Sequence, residues 1–199
     1  KALSIDELRN LANNCRACPL WKNATCTVFG EGPTNAKIMI VGEQPGDRED
    51  ISGKPFVGPA GKLLNQAFAE AGLDRSATYV TNAVKHFKWT PRGKLRLHQK
   101  PDRAEIEACR PWLLAELKNI QPEIIILLGG TAAQSLIDHR FTLSKQRGFV
   151  SAPHLAKHVF TTFHPSYLLR KREDRPGQPL YSEWVNDLKA AISSHGGPL

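Results

Sequence analysis

No apolar run in this chain is long enough to cross a bilayer, and no leader-like pattern of charge followed by an apolar stretch opens it. A cytoplasmic protein is therefore expected. Internal repeats and low-complexity tracts are also missing, which leaves out solenoid and disordered classes. The 199 residues suffice for one domain, 1–199, with a sizeable core. No exposed heptad or apolar stripe is evident, so a monomer is expected. Cysteine is scarce: Cys15, Cys18, Cys26 and Cys109 only. In an intracellular chain, the C-x2-C pair in "CRAC" suits a metal or cluster better than a disulfide framework. Acidic residues are the minority, 19 against 27 Lys and Arg, for a net charge of +8. That balance favours a polyanionic partner such as nucleic acid, the alternative being a merely basic soluble protein.

What is present alternates. "SIDELRNLANN" opens with a Ser4–Glu7 capping box and sets Ile5, Leu8, Leu11 and Ala12 on one helical face. "KIMIVG" (37–42), "TYVTNAV" (78–84), "EIIILLGG" and "KHVFTTFHP" read as strands. Between them lie "KLLNQAFAEAGL", "DRAEIEACRPWLLAELKNI" with an Asp102–Glu105 capping box, and "TAAQSLI". "YSEWVNDLKAAISS" closes the chain and buries Trp184, Leu188 and Ile192. Pro111 is expected to kink or divide its helix. The alternation implies an α/β/α sandwich of three layers around a four-stranded parallel sheet.

In such sheets ligands bind outside the carboxyl ends of the strands. "GEQPGDRED", Asn82, "GG" and "HPSYLLR" stand there, so Glu43, Gln44, Asn82 and His164 are expected on one edge. "KLRLHQKP" (94–101) leaves from the same edge. It sets His98 among Arg92, Lys94, Arg96 and Lys100, and its bracketing prolines and Gly93 read as a loop.

Taken together, "GEQPGDRED", "GKPFVGPAGKLL", "YVTNAVKHFKWT", "EACRPWL", "LLGGTAA" and "HPSYLLR" resemble the uracil-DNA glycosylase superfamily. They look like its iron–sulfur family 4, and most like the UdgX-type uracil-DNA-binding proteins. That type carries Gln after the first-motif Glu, His in the segment after "VTN", and a basic loop ending in histidine. The usual K-R-R-I-H loop is Lys94-Leu95-Arg96-Leu97-His98 here.

The resemblance implies a [4Fe–4S] cluster on Cys15, Cys18, Cys109 and His86, since imidazole also ligates cluster iron. An all-thiol set with Cys26 in place of His86 is the competing assignment, and zinc would accept it too. The implied partner is uracil-containing DNA, single- or double-stranded, bound at the nucleoid. Asn82 would accept from uracil N3–H and donate to O4, a pattern cytosine inverts. Phe56 would stack on the flipped base, and the backbone at Gly42 and Gln44 would meet O2. His164 would donate to O2 as charge collects on the departing base. Glu43 would block the thymine methyl and pair with Arg96 or His98. Gln44 is a neutral amide and cannot serve as a general base.

His98 is the candidate nucleophile toward C1′, and its N-glycosidic adduct is expected to persist. Lys94, Arg96, Lys100 and Arg170, with Lys171 and Arg172, are the expected phosphate contacts. Each residue also has a plainer reading from sequence alone: Asn82 and His164 as turn residues, Phe56 as core, Glu43 as a solvated carboxylate, His98 as one polar residue of a loop. The leading expectation is a glycosylase that excises uracil once and stays attached. A turning-over hydrolase, a non-catalytic iron–sulfur DNA-binding module and a zinc-stabilised small-ligand protein are the alternatives.

Overall fold

A computed structural model describes residues 3–194. Helix α1 (Ile5–Ala12) begins at Ser4, whose side chain accepts from the Glu7 amide while Glu7 reaches back to the Ser4 amide. Ile5, Leu8 and Ala12 are buried, but Leu11 is 52% exposed and leaves the expected apolar face.

Strands β1 (Ile38–Gly42), β2 (Thr78–Asn82), β5 (Ile124–Leu128) and β7 (His158–Thr162) are the four read from the sequence. They pair in parallel in the order β2-β1-β5-β7. The sheet is nevertheless five-stranded and mixed. A three-residue strand, β6 (Gly148–Val150), adds antiparallel to the outer edge of β7. Its brevity left no periodicity to detect.

The parallel strands are buried on both faces, which is why they are apolar throughout. Met39, Val41, Ile125 and Leu127 face α1, α4 (Arg103–Ile120) and α5 (Gly130–Leu136). Ile38, Ile40, Ile126 and Leu128 face α3 (Pro59–Ala71), α7 (Pro165–Lys171) and α8 (Pro179–Ser193). These are the three expected layers. Trp184 and Leu188 are fully buried as anticipated; Ile192 only half. Helix α4 keeps the Asp102–Glu105 box and runs unbroken through Pro111, correcting the expected division. The proline removes one backbone donor, and the packing of Leu113, Leu117 and Ile120 on the sheet outweighs that loss.

A second correction concerns residues 89–98. They form an antiparallel hairpin, β3 (Trp89–Arg92) and β4 (Leu95–His98), closed by Gly93 and Lys94. Gly93 takes φ 58°, as a two-residue hairpin turn requires. A short helix, α2 (Asp47–Ser52), lies beneath the hairpin, and α6 (Leu143–Gln146) precedes β6.

Candidate active site

The carboxyl ends of the parallel strands open into a cleft of about 1060 Å³. Glu43, Gln44, Phe56, Asn82, His98, Thr131 and His164 all line it. Gly42 ends β1 at its floor. A Cβ there would stand 2.4 Å from Asn82 Oδ1 and 2.5 Å from Phe56 Cζ, so only glycine lets these two side chains converge. Phe56 takes φ 55°, unusual outside glycine. The loop around it is wound tightly enough that a Cβ on Gly61 would overlap the Phe56 carbonyl. Buried Glu49 ties this loop to the one after β1, accepting from the amides of Gly46 and Gly58.

Asn82 ends β2 and is 2% exposed, with Oδ1 lacking any hydrogen-bond partner in the protein. Its backbone is held from below. Buried Lys85 donates from Nζ to the Asn82 carbonyl (2.8 Å), Thr81 Oγ1 (2.6 Å) and Glu116 Oε2 (2.6 Å). Glu116 is saturated in turn by the Gly30 amide, the Tyr79 hydroxyl and Thr81. A buried ion pair needs such full satisfaction to persist.

His164 follows β7. Burial pushes its pKa down to about 4, against the opposing charge of Glu43, so the ring is neutral near pH 7. The Ser166 amide donates to Nδ1 at 3.2 Å, and the proton therefore sits on Nε2. Nε2 is buried and, like Asn82 Oδ1, has no protein partner. The cleft thus presents one orphan acceptor and one orphan donor beside an aromatic ring, Phe56, whose centroid lies 6.0 Å from that of His164.

The opposite wall is the hairpin. Gln44 holds its stem: Oε1 accepts from the Lys88 amide (3.0 Å), and Nε2 donates to the carbonyls of Gln99 (2.9 Å) and Lys88 (3.3 Å). A carboxylate there has no proton to donate to carbonyls. This role of the Gln44 side chain was not anticipated.

Arg96 was expected to contact phosphate and was, with His98, one of two candidate partners of Glu43; His98 takes that place. Arg96 instead bonds Asp47 Oδ1 (2.5 Å), Asp50 Oδ2 (2.6 Å) and Thr25 Oγ1 (3.2 Å), between the rings of Phe87 and Trp89. It clamps the hairpin to α2.

Residues 96 and 98 share one face of β4. His98 Nε2 stands 3.3 Å from Glu43 Oε1, with the ring half exposed to the cleft. The second Glu43 oxygen accepts from Thr131 Oγ1 at the start of α5. Burial pulls the Glu43 pKa up, but the hydrogen bonds from His98 and Thr131 outweigh it, leaving it below its ordinary value. Glu43 is therefore ionised near neutrality. The LLGGTAA segment marked Thr131 only as a helix start; its contact with Glu43 spans 88 positions and has no local signal.

Of the expected phosphate contacts, Lys100 and Arg170 line the cleft and Lys94 lies exposed at the hairpin turn. Arg170 also donates to Ser166 Oγ, which contacts His164 Nδ1.

Behind the hairpin lie the cysteines. Cys18 and Cys109 belong to one small apolar cluster with Leu20, Val84 and Ile106. Cys15 Sγ accepts from the Trp112 indole, and Cys109 Sγ from the Lys85 amide, both at 3.2 Å. Burial pushes the Cys109 thiol up to about 12, and the nearby Cys18 and Cys15 push the same way. The Cys26 thiol instead donates to the Asp50 carbonyl, and its charged neighbour is Asp50. His86 is buried beside Thr27 Oγ1 (2.9 Å), and burial lowers its pKa, which keeps the ring neutral. Among the described residues, no three His, Cys, Asp or Glu side chains stand assembled as a metal centre. Cys15 and Cys18 still act electrostatically on Cys109, and Cys15 and Cys109 each accept one N–H bond at sulfur.

Residues 29–189 match the family model described as uracil DNA glycosylase superfamily. The chain is 41% identical to a type-4 uracil-DNA glycosylase of Thermotoga maritima over 92% of its length and 91% of the relative's. It is 35% identical to the type-4 uracil-DNA glycosylase of Saccharolobus solfataricus, over 96% of this chain and 88% of that one. A DNA polymerase of Bacillus phage SP01 also matches, at 32% identity over 82% of this chain and 16% of the polymerase.

Proposed function

Because the chain belongs to the uracil-DNA glycosylase superfamily, we propose that it excises uracil from DNA and that His98 then captures the abasic sugar. One observation carries the base-reading half: the unpartnered pair Asn82 Oδ1 and His164 Nε2 in a cleft beside Phe56. A buried polar atom without a partner is costly, and a flipped uracil satisfies both. Its N3–H donates to Asn82 Oδ1, and its O2 accepts from His164 Nε2. As the C1′–N1 bond breaks, its electron pair passes to the base, and the charge growing on O2 strengthens the His164 bond. That difference between ground and transition state is catalytic.

Support for capture comes from His98 at the same cleft, joined to an ionised Glu43. The imidazole nitrogen without a proton attacks the electron-poor C1′ with its lone pair. The ring's remaining N–H proton then passes to solvent by way of Glu43. The product is a neutral N-substituted imidazole, a poor leaving group from that carbon. Lys94, Lys100 and Arg170 supply phosphate contacts.

The type-4 relatives support a [4Fe–4S] cluster, for which Cys15, Cys18, Cys109 and His86 are the proposed ligands. When bound it ties the N-terminal segment, the stretch after β2 and α4 together, a structural contribution.

A turning-over hydrolase is the second reading. It is favoured by the type-4 glycosylases among the relatives, with Glu43 positioning water instead of His98. Incubation with a uracil-containing oligonucleotide, followed by intact-mass analysis, separates the two. Capture predicts a mass increase equal to the abasic strand less one water, abolished in His98→Ala. Free abasic DNA with unmodified protein establishes the hydrolase.

A further inference from the structure

Beyond the uracil cleft, a second groove of about 570 Å³ lies between α4 and the C-terminal end of α5. We infer that this groove takes the nucleotides flanking uracil on one side of the same DNA strand, an inference that rests on the reading of the cleft given above.

Continuity is the first argument. Lys100 borders both the cleft and the groove. Helix α5 joins them: Thr131 near its start lines the cleft, and Ser135 and Leu136 at its end line the groove. Seven residues at 1.5 Å each span about 10 Å, so a strand leaving the cleft past Lys100 arrives at the groove within a few nucleotides.

The chemistry of the walls is the second argument. The floor is apolar, formed by Pro101, Ile106 and Leu136, all buried. Lys100 and Arg110 stand exposed on the rim and have no ion-pair partner among the described residues. The two rim carboxylates are already engaged, Glu107 by Arg103 and Asp138 by Arg140. An apolar floor with exposed cations above it, Lys100 and an Arg110 whose charge is shared with Glu107, suits bases laid against the floor and phosphates met at the rim.

The test measures equilibrium binding of the whole protein to three single strands carrying 2′-fluoro-2′-deoxyuridine, whose glycosidic bond resists cleavage, so that neither excision nor capture intervenes: a short one ending just beyond the uracil, and two extended by about ten nucleotides, one on each side. Wild type and Arg110→Glu are compared across a salt series. Arg110 is exposed, so circular dichroism and melting should match wild type. One extended strand should lose about tenfold in affinity in the variant, with a salt slope shallower by about 0.7 or more. The oppositely extended and short strands should lose far less. Equal losses on both extended strands, or no loss on either, overturn the inference. Wild type failing to prefer uracil over thymine in the short strand would instead defeat the reading of the cleft itself.

Discussion

Asn82 ends β2 and His164 follows β7, each paired in parallel with a wholly buried strand, whereas His98 stands on a four-residue strand with a single antiparallel partner. The base-reading wall is a product of the core. Its side chains are fixed by Gly42, by the Lys85–Glu116 network and by apolar layers on both faces of the sheet. The hairpin wall has no core of its own, and Leu95 on it is 66% exposed. Polar bolts attach it: Gln44 at its stem, Arg96 to α2 and Glu43 to His98. The proposed mechanism therefore puts recognition on the rigid element and sugar capture on the hairpin, which lets each be broken separately.

The largest effect should come from the rigid wall. Gly42→Ala puts a methyl group against both Asn82 and Phe56, and displacements of about 1 Å near a reacting centre cost on the order of 10²-fold. Single-turnover uracil release should fall by at least that, with adduct formation falling in step. A fall in adduct alone would contradict the division of labour.

Arg96→Met should act on the other wall. Asp50, whose side chain is wholly buried, loses its ion-pair partner, at a cost of about 1–3 kcal/mol. Thermal melting should register that loss. Adduct yield per uracil released should drop about tenfold, the drop tracking faster amide exchange across β3 and β4.

The smallest effect sharpens the junction between the walls. Glu43 has a lowered pKa, so its pairing with His98 is present above that pKa and lost as pH falls through it. Thr131→Val removes one hydrogen bond that lowers it. The Glu43 carboxyl, followed by carbon NMR, should titrate at higher pH in that variant, by less than about one unit, and Thr131→Ser should restore it. An unmoved titration would mean that Thr131 merely packs.

The four parallel strands, both capping boxes and the meeting of Glu43, Asn82 and His164 at one edge were legible in the sequence. Apolar runs, cap residues and the rule for parallel sheets are properties of short stretches of chain. The hairpin escaped because the alternation of Leu95 and Leu97 with Arg96 and His98 is only four residues long and its apolar face is not buried; only Gly93 hinted at its turn. Strand β6 escaped because three residues hold no period.

The sequence by itself settled which residues are apolar enough to be driven into the layers, and hence which chain segments end at the cleft. Only the tertiary structure decided what the polar side chains do there: that Arg96 belongs to Asp47 and Asp50, that Gln44 binds two hairpin carbonyls, and that Thr131 holds Glu43. Burial follows local composition, whereas a hydrogen bond depends on distance and direction between groups many positions apart in the chain.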